Sequence, residues 1–91
     1  MPKKRQYEVI FTRRAERVFR RLPPELVRRL DRAILALGDN PRPPGHRKLA
    51  GQDDLYRIRV GDWRVIYSIE DDRLIVLVIE IGPRDNIYRN L

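Results

Sequence analysis

The 91-residue sequence has no cysteine, a single histidine, His46, and a single tryptophan, Trp63. Without thiols there can be no disulfide framework, no thiolate zinc site and no cysteine nucleophile, so stability has to come from packing alone. Long apolar runs are missing too. The longest, Leu74 to Ile79, falls far below the ~20 residues of a membrane helix, and Met1 to Arg5 leads into a strand-like stretch rather than a signal-peptide core. A soluble, cytoplasmic protein with no membrane partner is expected. Lysine is scarce as well: of 20 basic residues only Lys3, Lys4 and Lys48 are lysine, which leaves 17 arginines.

What is present is charge of one sign. Those 20 cations stand against 13 carboxylates, for a formal net charge of +7. Guanidinium suits planar, bidentate contact with phosphate or carboxylate, so a polyanionic partner is one reading; compositional bias or a thermophilic host is the other. A chain of 91 residues argues for one domain spanning 1–91. Such a chain buries only roughly 60–65% of its unfolded surface, so one core has to use most of its apolar residues.

Tyr7 to Phe11 alternates like a short strand, and Thr12 offers an N-cap hydroxyl. From Arg13 the period changes. Ala15, Val18, Phe19 and Leu22 form one helical stripe, opposite Arg13, Arg14, Arg17, Arg20 and Arg21, until Pro23-Pro24 ends it. Pro24 suits the first turn of a second helix with Leu26, Val27, Leu30, Ala33, Ile34 and Leu37 on one side, Gly38 as its C-terminal cap and Pro41 beyond. Residues 39–54, rich in proline and glycine, read as a connecting loop carrying His46, Arg47 and Lys48. Three strands are then expected at Leu55–Val60, Trp63–Ile69 and Leu74–Ile81, the last probed by its apolar content as central, with a short tail from Gly82 to Leu91. The predicted fold is α+β in the order β-α-α-β-β-β, a two-helix hairpin on one face of a small, mainly antiparallel sheet.

The Gly61-Asp62 turn predicts a register. Two-residue closure pairs Val60 with Trp63, Arg59 with Arg64, Ile58 with Val65, Arg57 with Ile66 and Tyr56 with Tyr67. Tyr56, Ile58, Val60, Trp63, Val65 and Tyr67 then face the helices, and Arg57, Arg59 and Arg64 share the other side. Like charges directly opposed cost up to about 1 kcal/mol, which an anion bound between them would reverse. The alternative is three solvated, screened side chains. Arg84 and Tyr88 follow the last strand closely enough to join that face, where a phenol can stack on a base or move a proton. Ile75, Leu77, Ile79 and Ile81 are expected on one exposed apolar face of the last strand, for core packing or a partner.

The order of elements resembles the RelE/ParE superfamily of type II toxin–antitoxin toxins over essentially the whole chain. So do Leu49-Ala50-Gly51 leading into Leu55-Tyr56-Arg57-Ile58-Arg59, then Trp63-Arg64-Val65-Ile66-Tyr67, and the ending Ile81-Gly82-Pro83-Arg84-Asp85-Asn86-Ile87-Tyr88-Arg89. The resemblance implies a microbial-ribonuclease-like fold. For RelE-like members it implies an mRNA interferase that cuts mRNA in the ribosomal A site without a metal or other cofactor. Carried onto this chain, the family pattern makes Arg57 and Arg59 the basic pair, Arg64 and Arg84 the transition-state arginines and Tyr88 the tyrosine. Arg47 and Lys48 join Arg57 and Arg59 as RNA contacts, and the helix-face arginines, with Arg28, Arg29 and Arg32, read as docking to ribosomal RNA or as a solvated face.

Two departures stand out. The usual basic pair is lysine, and arginine cannot give up its proton, so the general base falls to Tyr88 or to a group outside the pattern, such as Glu80 or His46. Many relatives also carry histidine where this chain has Pro83. The implied partners are a cognate antitoxin, the ribosome with its mRNA, and operator DNA through the antitoxin complex. ParE-like members share the fold, poison DNA gyrase and lack the full residue set. A non-catalytic RNA-binding module is the third reading.

Overall fold

Thr12 divides the first strand, β1 (Glu8–Phe11), from the first helix, α1 (Arg13–Arg20), in a computed structural model that describes residues 6–49 and 51–83. Its hydroxyl accepts from the Ala15 N–H at 3.1 Å and donates to the Ile79 carbonyl at 3.0 Å. One side chain thereby caps the helix and ties its start to the last strand. The second helix, α2 (Pro24–Asp39), opens with Pro24 in its first turn, where the missing N–H costs nothing.

Gly38 is not the cap expected of it. It lies buried inside α2, and the helix ends at Asn40, whose backbone is extended. The Tyr7 N–H donates to the Gly38 carbonyl at 2.7 Å, and a Cβ built on Gly38 would stand 3.1 Å from the Tyr7 oxygen. The glycine is there so that the approach to β1 can pass close to the helix.

The remaining elements are β2 (Arg47–Leu49), β3 (Gln52–Val60), β4 (Trp63–Glu70) and β5 (Ile75–Pro83), in a five-stranded sheet ordered β1-β5-β4-β3-β2. The expected loop at 39–54 therefore yields a short edge strand and the start of β3. Glycine at Gly51, with φ +75°, makes the turn between them, and antiparallel pairing gives Arg47 to Leu49 the ladder partners that their composition does not announce. β4 is the middle strand, and β5 is interior, as its apolar content implies, with β1 on one side and β4 on the other. β1 pairs parallel with β5 from Ile75 to Val78, the one parallel ladder among the described residues, and does not reach the second half of β5.

The helices cover one face. Ala15, Leu30, Ile34 and Leu37 pack with Ile58, Val65, Tyr67, Val76, Val78 and Ile81 in the core, flanked by Tyr56, Val60 and Trp63. Placing Ile81 with Ile75, Leu77 and Ile79 proves wrong. The β4–β5 register passes from Tyr67↔Val78 to Ile66↔Glu80, so Ile79 is an extra residue and the alternation flips. Ile81 becomes a core residue opposite Val65, and Glu80 turns to the outer face beside Ile66. No helix among the described residues is long and apolar enough to cross a membrane.

Candidate functional site

The register deduced from Gly61-Asp62 is the one observed: Val60↔Trp63, Arg59↔Arg64, Ile58↔Val65, Arg57↔Ile66 and Tyr56↔Tyr67. Because Tyr56, Ile58, Val65 and Tyr67 belong to the core side, the alternate positions Arg57, Arg59 and Arg64 lie on the side away from the helices. β2 adds a fourth. Arg47 stands opposite Arg57 in the β2–β3 ladder and shares its face. Lys48 pairs with Tyr56 and belongs to the other side of the sheet. Beside the arginines, Pro44, Gly45, Arg47, Arg57, Ile58 and Arg59 line an open hollow of about 280 Å³.

The four guanidiniums are not equivalent. Arg47 and Arg59 are exposed and Arg57 is half-buried, as suits residues that grip a flexible polyanion from solvent. Arg64, on the middle strand, is only 6% exposed, and its Nε is cut off from water with no hydrogen-bond partner among the described residues. Its neighbour across the β5 ladder is Gly82, which brings no side chain to that flank. A buried, unsatisfied charged donor costs about 1–3 kcal/mol or more. An oxyanion of a phosphate is the group that would satisfy it without adding to the repulsion from Arg59.

The candidate bases from the sequence are separated by the fold. Glu80 is on the arginine face, 4% exposed, and its carboxylate is held by Arg14 Nε at 3.2 Å. That ion pair between α1 and β5 had no sequence signal, because it depends on the bulge at Ile79. His46 lies elsewhere. Its Nδ1 donates to the Pro43 carbonyl at 2.9 Å and its ring packs 5.9 Å from Tyr56, on the core side of the strand. Arg84 and Tyr88 fall outside the described residues. No group of three or more His, Cys, Asp or Glu side chains that could hold a metal ion occurs among the described residues.

A second polar cluster sits at the opposite end of β4. Arg42 makes a two-pronged contact with Asp71 at 2.9 and 3.2 Å, and the Tyr7 hydroxyl donates to the same carboxylate at 2.7 Å. Arg42 also lies over the Tyr56 ring, which stacks on Tyr67, and the Tyr67 hydroxyl donates to the Pro41 carbonyl at 2.7 Å. Burial pushes the Tyr67 hydroxyl well above the ordinary tyrosine range. This cluster fastens the loop after α2 to the sheet and carries no unmet donor pointing to a ligand.

Comparisons with known proteins identify the family. Residues 9–88 match the family model described as the ParE toxin of the type II toxin–antitoxin system parDE. The toxin RelG of Mycobacterium tuberculosis is 33% identical over 89 residues, covering 91% of this chain and 97% of that protein. The mRNA interferase toxin RelE of Escherichia coli is 28% identical over 81 residues, covering 87% and 84%. The toxin in the crystal structure of an archaeal RelE–RelB complex from Pyrococcus horikoshii superposes with a TM-score of 0.78 at 30% identity, covering 89% of this chain and 98% of its own. The chain belongs to the RelE/ParE superfamily of toxins of type II toxin–antitoxin systems.

Proposed function

We propose that the chain is a metal-independent endoribonuclease that cleaves mRNA in the ribosomal A site and so stops translation. The observation that carries the reading is the buried Arg64 with its unpartnered Nε, opposed by Arg59 on a face that also holds Arg57 and Arg47. Its support from relatives is the E. coli protein named an mRNA interferase.

In this reading the 2′-hydroxyl oxygen attacks the adjacent phosphorus and the bond from phosphorus to O5′ breaks. The products are a 2′,3′-cyclic phosphate and a 5′-hydroxyl; the 2′ proton leaves to a base and a proton arrives at O5′. DNA lacks the nucleophile. Negative charge grows on the phosphoryl oxygens, and a guanidinium fixed there in a water-poor site stabilises the transition state by several kcal/mol. Arg64 takes that role, and in this reading Arg84 shares it. Arg57, Arg59 and Arg47 hold the backbone. Glu80 is committed to Arg14 and His46 is on the wrong face, so proton transfer falls to Tyr88.

A cognate antitoxin is the proposed partner, since relatives of this chain were crystallised as RelE–RelB complexes; operator DNA is bound through that complex. The arginines of α1 and α2 dock on ribosomal RNA. The matched family model, which is that of ParE toxins, favours a second reading, a gyrase poison without nuclease activity. Inducing the chain and mapping mRNA ends with translation running or blocked separates the two. Ribosome-dependent cuts that disappear in Arg64→Ala support the nuclease. Intact mRNA with accumulating gyrase-linked DNA breaks overturns it.

A further inference from the structure

Glu80 is the one carboxylate on β5, and the bulge at Ile79 turns it onto the arginine face. It pairs with Ile66, two residues along β4 from Arg64, and so sits one diagonal step from Arg64, whose own cross-strand neighbour is Gly82. Long side chains span that diagonal. A glutamate so placed should close on a buried guanidinium whose Nε has no partner, yet among the described residues no ion pair joins the two. Arg14 takes the carboxylate instead. It reaches Glu80 from α1, past the half of β5 that β1 does not reach, and remains 56% exposed itself while the Glu80 side chain is 5% exposed.

We propose that Glu80 is a built-in competitor for the anion site at Arg64, and that Arg14 is a positioning residue that holds it off. With Arg14 in place, Glu80 is neutralised from the solvent side and Arg64 keeps its donors for a phosphate. Without Arg14, the buried carboxylate is left uncompensated, which is costly, and the one buried cation among the described residues able to satisfy it is Arg64. Glu80 then occupies the position a phosphoryl oxygen needs. This rests on the reading of Arg64 as the phosphate-binding residue.

The test uses the purified full chain and a short single-stranded RNA with a 2′-deoxy nucleotide at the scissile position, so that binding is read without cleavage. Arg14→Ala is expected to weaken binding about tenfold, the scale of one charge-assisted contact. Arg14→Ala combined with Glu80→Gln should restore it to within about twofold of the wild type, because a neutral amide no longer competes for the guanidinium. A merely structural role for the ion pair shows instead as a binding loss that tracks a fall in stability, with the Arg64 resonance of the folded protein unmoved. The Arg64 Nε–H resonance reports the same event without RNA: it should move in Arg14→Ala as the carboxylate arrives, and return in the double variant. Should Arg14→Ala fail to fold, Arg14→Gln, which keeps a donor beside Glu80, replaces it and should show a smaller loss with the same rescue.

The proposal is overturned if the double variant binds as weakly as Arg14→Ala, which would make Arg14 an RNA contact in its own right. It is also overturned if Arg14→Ala changes neither binding nor the Arg64 resonance. Failure of the nuclease reading shows differently, as absence of ribosome-dependent mRNA cuts by the wild type, and leaves the binding series intact.

Discussion

Arg59 and Arg64 stand directly opposite one another in the β3–β4 ladder, and the more buried of the two has an Nε without a partner. The sheet thus carries a repulsion and a desolvated donor on one short stretch. Replacing Arg59 with threonine, a good strand residue, should raise stability by a few tenths to about 1 kcal/mol while weakening RNA binding. A thermal melt and a binding titration on the same sample check this; a fall in both would mean the arginines support the fold.

Arg64→Ala and Arg64→Lys separate charge from geometry. If Arg64 stabilises the phosphoryl oxygens, alanine should lower the cleavage rate by about 10²–10³, and lysine should recover only part, because it offers a point charge rather than a planar fork. Single-turnover cleavage on programmed ribosomes measures it. Full activity in either variant would remove Arg64 from the chemistry.

The Tyr67 hydroxyl predicts behaviour in alkali. Folding raises its pKa, so the native state keeps a proton that the unfolded chain releases near the ordinary tyrosine value of about 10. The stabilisation is complete below that pH and is lost as pH rises above it. Denaturant titrations between pH 8 and 11 should show falling stability in the wild type and a flatter profile in Tyr67→Phe. At neutral pH that variant should lose about 1 kcal/mol with its bond to the Pro41 carbonyl.

Thr12 should tolerate serine and resist alanine. Alanine removes both the cap on Ala15 and the bond to the Ile79 carbonyl, for about 1–2 kcal/mol. Chemical denaturation resolves a difference of that size, and equal stability of the two variants would dismiss the double role.

The parts of the molecule that sequence alone revealed are those set by neighbours in the chain. Gly61-Asp62 closes a two-residue turn, and that turn dictates every pair from Val60↔Trp63 to Tyr56↔Tyr67, hence the shared face of Arg57, Arg59 and Arg64. The parallel pairing of β1 with β5, the Ile79 bulge and the edge strand at Arg47 each depend on partners distant in the chain. For that reason the sequence puts Ile81 on the outer face and Gly38 at a cap. The Arg14–Glu80 pair belongs with them, since it exists only once the bulge has turned Glu80 over.

The core residues that hold the helices to the sheet are separate from the arginine face. A substitution that silences Arg59 or Arg64 therefore leaves a folded, full-sized protein. Such an allele would still engage whatever recognises the rest of the surface, and in a cell carrying the active copy it would drain antitoxin away. Under the proposed function, loss of activity at this face is then a gain of interference, inherited as dominant rather than silent.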